Sequence, residues 1–177
     1  QEIGTRTVLG PESGGAAVLW AHTQQDPDTK LGVAIASSCL ETYVSINPKI
    51  GTIHSVYKAA RMICAAGGKP LALTNCLNFA DPNDPRVMWD FKESIQGIKW
   101  SCEKMNIPVV SGNVSLYNET DGKSILPTPM IAMVGKVKDI SKTTPACTTE
   151  ESSIYLLSAK KYSPSFNGSL FTKAYDI

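Results

Sequence analysis

Short apolar runs alternate along the chain with polar, turn-rich segments, and the period of the pattern changes from place to place. "AAVLWA" (16–21) and "LGVAIASS" (31–38) flank "HTQQDPDTK". Asp, Pro and Thr in that connection suit a turn, so the pattern predicts two strands in a hairpin. In "IHSVYKAARMICAAGG", residues Ile53, Val56, Tyr57, Ala60 and Ile63 or Cys64 fall at helical spacing, and Gly67-Gly68 supply a left-handed stop. "KPLALTNCLNF" then predicts a strand running into a polar loop. A helix follows over "DPNDPRVMWDFKESIQGIKWSCEKMN", with Asp84 as N-cap, Pro85 at the first helical position, and Val87, Phe91, Ile95, Ile98 and Cys102 in one stripe.

Beyond it, "IPVVSGNVSLYN" reads as a strand, "ETDGKSI" as a turn and "PTPMIAMVGKVKDI" as another strand. The order implies an α/β (α+β) class, with a mixed sheet covered on one face by two main helices. From about residue 141 the composition shifts to the Ser/Thr-rich "SKTTPACTTEESS", followed by "IYLLSA" and "SLFTKAYDI". The expectation is a first domain over 1–140, and a linker with the first elements of a truncated second α/β domain over 141–177. Because "SLFTKAYDI" ends without a cap or a partner strand, a fragment of a longer protein is expected.

Charge and cysteine content narrow the field. Among 177 residues the formal net charge is +1, and no Lys/Arg cluster stands in the sequence, which argues against a nucleic-acid surface. The five cysteines, Cys39, Cys64, Cys76, Cys102 and Cys147, are an odd number with no CxxC pair. Free, mostly buried thiols in a reducing cytosol are expected. No apolar run approaches the roughly 18 residues that cross a bilayer, and no signal-peptide pattern opens the chain, so a cytoplasmic protein is expected, without membrane partners.

The segment with most chemical content is "SGNVSLYNET" (111–120). Gly112 lacks a Cβ and permits unusual dihedrals, so backbone N–H groups could approach an anion. Asn113 adds a neutral oxygen that suits Mg²⁺, and Ser115 a hydroxyl on the same face of an extended segment. An ordinary turn is the competing reading of these residues. A second polar loop, "TNCLNFADPND", also leaves a strand end, and the two loops would lie side by side if their strands are neighbours. Glu119 either reaches the same rim or caps the turn at "NETDG". His22 and His54 have no carboxylate or cysteine at triad spacing and read as structural, as Cys64 and Cys76 read as core thiols. Trp89 and Trp100 read as packing or a domain contact on the long helix.

"GGKPLALTNCLNFADPNDPRVMWDF", "IPVVSGNVSLYNET" and "ILPTPMIAMVG", with "TRTVLGPESGGAAVLW" near the start, resemble phosphoribosylformylglycinamidine synthase in its second synthase-like half. The match runs over roughly residues 5 to 137. The resemblance implies a fold like the N-terminal domain of aminoimidazole ribonucleotide synthase. It implies an ATP- and Mg²⁺-dependent ligase that converts formylglycinamide ribonucleotide and glutamine-derived ammonia to the amidine. Implied partners are the first synthase-like half, a glutaminase subunit or domain, and the ribonucleotide substrate; an isolated fragment would pair with a copy of itself, and would be inactive. Residue by residue, Gly112 matches a nucleotide-contacting glycine, Asn113 a magnesium ligand and Ser115 a substrate contact. Asn75 stands where the family usually has an aspartate beside the nucleotide. Upstream, Ser38, Thr42 and Asn47 replace an Asp, an Arg and a second Asp of the family pattern. Losing those charges suggests a dropped anion or metal contact, and keeps open a second reading: a degenerate half that scaffolds the active one and holds at most a structural nucleotide.

Overall fold

The predicted hairpin forms as β2 (Ala17–Trp20) antiparallel to β3 (Gly32–Ser38), and β1 (Thr7–Leu9) lies antiparallel outside β2. In this computed structural model the described residues are 6–10, 15–144 and the single positions 151, 153 and 155. Two units are distinguished, 1–147 and 148–177. Apart from 141–144 and those single positions, the segment expected to begin a second domain lies outside the described residues, as does Cys147.

Two helices follow β3, where the periodicity predicts only one: α1 (Glu41–Ile46) and α2 (Pro48–Ala65). The break between them has a local cause. Asn47 is extended (φ −148°, ψ 102°) and its side chain accepts from the Ile50 N–H at 3.0 Å, so it caps α2, with Pro48 at the first helical position. After α2, Gly67 at φ +81° donates its N–H to the Cys64 carbonyl, the expected left-handed stop. β4 (Gly68–Asn78) follows, then α3 (Pro85–Met105), then β5 (Val109–Ser115). Asp84 caps α3 as expected, accepting from the Arg86 N–H at 2.8 Å. A small hairpin of β6 (Glu119–Thr120) and β7 (Lys123–Ser124) turns through Asp121 and Gly122, both at positive φ. That is the turn an Asp-Gly pair favours. β8 (Thr128–Val137) ends the sheet in sequence, and a 3-10 turn, Ile140–Lys142, follows it.

The main sheet runs β1-β2-β3-β8-β4-β5, so the last strand lies between β3 and β4. Only β4 and β5 pair in parallel, with α3 as their crossover; the other neighbours are antiparallel. The mixed sheet with helices on one face is therefore as expected.

Strict alternation sorts the faces. Gly32, Ala34 and Ala36 of β3 and Ile131, Met133 and Val137 of β8 are buried with Val56, Ala59 and Ile63 of α2. Ile63 and Val56, without exposure, each contribute about 1.5–3 kcal/mol of burial. Val33, Ile35, Met130 and Val134 lie on the opposite face, and Ile35 is 41% exposed.

The stripe predicted for α3 holds in part. Ile98 and Cys102 are buried, and Val87 and Phe91 pack against the core, but Ile95 is exposed. The buried face is instead rich in small residues: Ser94, Gly97 and Ser101. A Cβ on Gly97 would stand 2.5 Å from the Lys49 carbonyl oxygen, so α2 and α3 approach too closely for a large side chain there. Close packing at Gly97, together with the apolar residues beside it, chooses this face.

Cys39, Cys64, Cys76 and Cys102 are free thiols, but of these Cys102 alone is buried, and Cys64, read as a core thiol, is exposed on α2. Burial, reinforced by Glu41, pushes the Cys39 thiol up to about 11, and burial raises Cys102 as well. Among the described residues no helix is long and apolar enough to cross a membrane.

Candidate functional site

The parallel pair β4 and β5 fixes where the polar residues of both motifs stand. Its register sets Thr74 beside Ser111, Asn75 beside Gly112, Cys76 beside Asn113, and Asn78 beside Ser115. Leu73 and Leu77 are buried beneath the helices, so alternation puts Asn75 and Gly112 on that same face. Thr74, Cys76, Asn78, Ser111, Asn113 and Ser115 line the other face. The four residues singled out in the sequence are thus divided, with Asn113 and Ser115 on the open face and Asn75 and Gly112 on the helix face.

On the open face the side chains stand in a row of three separate hydrogen-bonded groups. Thr74 Oγ1 and Ser111 Oγ are 2.7 Å apart, and Asn113 Nδ2 donates to Cys76 Sγ at 3.7 Å. Asn78 Nδ2 donates to the Cys76 carbonyl at 3.1 Å, and Ser115 Oγ donates to Asn118 Oδ1 at 3.2 Å. Beyond the strand ends the two polar loops stay joined, as expected for neighbouring strands. Phe79 donates its N–H to the Ser115 carbonyl at 3.0 Å, and the Asn118 side chain returns to the Phe79 carbonyl at 2.9 Å. Asn118 therefore locks the loop in which Tyr117 adopts φ +59° and stands largely in solvent.

Gly112 has a different physical reason from the one read in the sequence. Its φ is not in the left-handed region, so no unusual dihedral demands glycine. A Cβ at this position would instead lie 2.8 Å from Asn75 Oδ1 and 3.2 Å from Nδ2. The Asn75 amide occupies the room that the missing side chain leaves.

The row contains hydroxyls, amides and a thiol, and no carboxylate. Mg²⁺ is usually held through one or two carboxylates together with substrate phosphates. Among the described residues no group of three or more His, Cys, Asp or Glu is placed to hold a metal. Alone, the row does not fit a resident Mg²⁺; Asn113 Oδ1 offers one neutral ligand.

The upstream departures resolve differently from one another. Asn47 caps α2, a task Asp and Asn perform about equally, so the amide there has a structural use. Ser38 is buried and its hydroxyl has no hydrogen-bond partner, while Thr42 is half-buried in α1. His54 packs edge-on against Tyr43 at 5.7 Å, and Trp100 lies 6.4 Å from Tyr57, both packing roles. Trp89 stacks beneath Arg86 at 4.8 Å. Glu119 is exposed in β6 opposite Ser124. Thr74, Asn78 and Ser111 complete the row although the sequence reading did not single them out, and Cys76, read there as a core thiol, stands half-buried on the same open face; the alternation within "TNCLN" and "VSGNVS" carried that signal.

Comparison with known proteins agrees with this architecture. The family model described as AIR synthase related protein, N-terminal domain, matches residues 13–137. The phosphoribosylformylglycinamidine synthase subunit PurL of Campylobacter jejuni subsp. doylei is 41% identical over 175 residues, covering 98% of this chain and 23% of that protein. T. maritima PurL complexed with ATP superposes with a TM-score of 0.68 at 34% identity, covering 79% of this chain and 22% of that one. T. maritima PurL complexed with FGAR gives the same TM-score at 33% identity, covering 80% and 22%. These relatives bear out the resemblance read from the sequence, and the chain spans under a quarter of their length. On the match over residues 13–137, the chain belongs to the AIR synthase related proteins, through their N-terminal domain.

Proposed function

We propose that this chain is part of a cytoplasmic, ATP-dependent phosphoribosylformylglycinamidine synthase and supplies one wall of its ligand site. The reaction joins formylglycinamide ribonucleotide with glutamine-derived ammonia in purine biosynthesis. ATP phosphorylates the amide oxygen of the substrate; ammonia then displaces phosphate, leaving the amidine and ADP. Such phosphoryl chemistry rests chiefly on positioning and electrostatics. The observation that carries the reading is the row of hydrogen-bonding side chains on the open face of β4 and β5. The relatives' complexes with ATP and with FGAR support it.

Within this reading Ser115, oriented by Asn118, contacts the ribonucleotide. Asn75 and Gly112 belong to the nucleotide side, and Asn113 presents its Oδ1 to a cation carried in by the nucleotide phosphates. The first synthase-like half covers the apolar open face around Ile35, Met130 and Val134, and a glutaminase subunit or domain provides ammonia. A second copy of the chain is the alternative cover.

The carboxylate-free row favours a second reading, in which this half scaffolds the active one and holds at most a structural nucleotide. Calorimetric titration of the chain with ATP and Mg²⁺ tests for a self-sufficient site, with Asn113→Ala as control. In the complete enzyme, Asn113→Ala should lower kcat sharply and Ser115→Ala should raise KM for the ribonucleotide if the wall is catalytic. Unchanged kinetics in both variants select the scaffold.

A further inference from the structure

Although the sequence has no run of basic residues, folding gathers four lysines around one cavity. The cavity, about 460 Å³, is lined by Lys69, Lys136, Lys138, Lys142, Asp139 and the Gly67-Gly68 backbone. It lies where β4 begins and β8 ends. The polar row lies at the other end of the sheet: from Lys69 to Asn75 is about 20 Å along the strand.

Three observations point to an anionic ligand. Lys69 and Lys136 are directly opposite in the antiparallel register of β4 and β8, an arrangement in which like charges repel. The ion pairs among the described residues are Arg86–Asp90 and Lys99–Glu103, so none of the four lysines stands in a contact ion pair. Asp139, the one acid lining the cavity, is already engaged. It accepts from Ser141 N at 3.0 Å and from Ser141 Oγ at 2.6 Å, and this bonding, aided by Lys30 and Lys142, holds its carboxyl below the usual range.

We infer that this cavity binds a small anion bearing two or more phosphate groups, at a site separate from the polar row. Four ammonium groups against one carboxylate leave an excess of three positive charges, on a chain whose net charge is only +1. Lysine ammoniums are compact, rotatable donors suited to phosphate oxygens. The volume is that of a small-molecule site, and the excess charge calls for more than one phosphate.

The test is calorimetric titration of the whole 177-residue chain with inorganic tripolyphosphate, without nucleoside or Mg²⁺, at about 0.15 M salt. One anion should bind per chain. The Lys69→Gln/Lys136→Gln variant should bind at least tenfold more weakly, while Lys69→Arg/Lys136→Arg and Asn113→Ala should bind as the parent does. Both lysines are exposed, and their replacement relieves repulsion, so the glutamine variant should melt no lower than the parent. Tripolyphosphate should raise the melting temperature of the parent and not that of the variant. Absence of binding overturns the inference, as does binding that survives in the glutamine variant. Binding abolished by Asn113→Ala would place the anion at the row and overturn it equally. None of these outcomes decides the catalytic reading, because neither nucleotide nor metal is present.

Discussion

Replacing Gly112 with alanine tests the geometry of the site directly. The new Cβ would sit 2.8 Å from Asn75 Oδ1. Favourable contact begins near 3.5 Å, so the amide must swing aside by roughly 0.7 Å or more. Forcing a methyl into an occupied space costs about 1–3 kcal/mol, while Gly→Ala in a strand interior regains about 0.5–1 kcal/mol of backbone entropy. The expected net loss is about 0.5–2 kcal/mol. With Asn75→Ala as the background the obstacle is gone, and the same substitution should stabilise by about 0.5–1 kcal/mol. Urea unfolding followed by circular dichroism, on the parent, both single variants and the double variant, measures the coupling. If Gly112→Ala costs the same in both backgrounds, Asn75 is not what requires glycine here.

Other expectations concern helices and thiols. Gly97→Ala should destabilise by about 1–3 kcal/mol in urea unfolding, because its Cβ meets the Lys49 carbonyl; at an exposed helix position the same change would stabilise. Asn47→Asp should leave stability within a few tenths of a kcal/mol, whereas Asn47→Ala should lose about 1 kcal/mol with the α2 cap. Cys39 has a folded pKa of about 11 against 9.0 ordinarily, so the folded state retains a proton that the unfolded state gives up. Stability should be complete below pH 9 and fall as pH rises towards 11, and Cys39→Ala should reduce that fall. At neutral pH a thiol reagent should label exposed Cys64 well before Cys39.

Much of the architecture was legible because strands and helices write different periods. The β2–β3 hairpin, α3 with its Asp84 cap, and the Asp-Gly turn after β6 all followed from local pattern. α1 did not, since a six-residue helix has too few turns to display a stripe and its end coincides with a cap for its neighbour. Ile95 was assigned to the core of α3 on hydrophobicity, but backbone proximity at Gly97, together with the apolar residues beside it, set the buried face. At the site, the sequence showed that Asn113 and Ser115 share a face. It could not show that Gly112 faces Asn75, because that depends on the register between strands joined only through α3. Three of the four lysines, Lys136, Lys138 and Lys142, stand within seven residues of one another in the sequence; only their meeting with Lys69 was hidden, because it depends on the register between β4 and β8.

The place of β8 also bears on how the protein is born. Among the described strands, the β1-β2-β3 ribbon and the β4-β5 pair are joined in the sheet only through β8, the last of them to be synthesised. On the ribosome, the facing edges of β3 and β4 stay unsatisfied until residues 128–137 emerge. At ordinary translation speeds of about 5–20 residues per second, that interval lasts several seconds. A chain interrupted before residue 128 would offer two open edges to any neighbouring nascent chain, so survival of such products calls for a chaperone that shields strands more than one that shields helices.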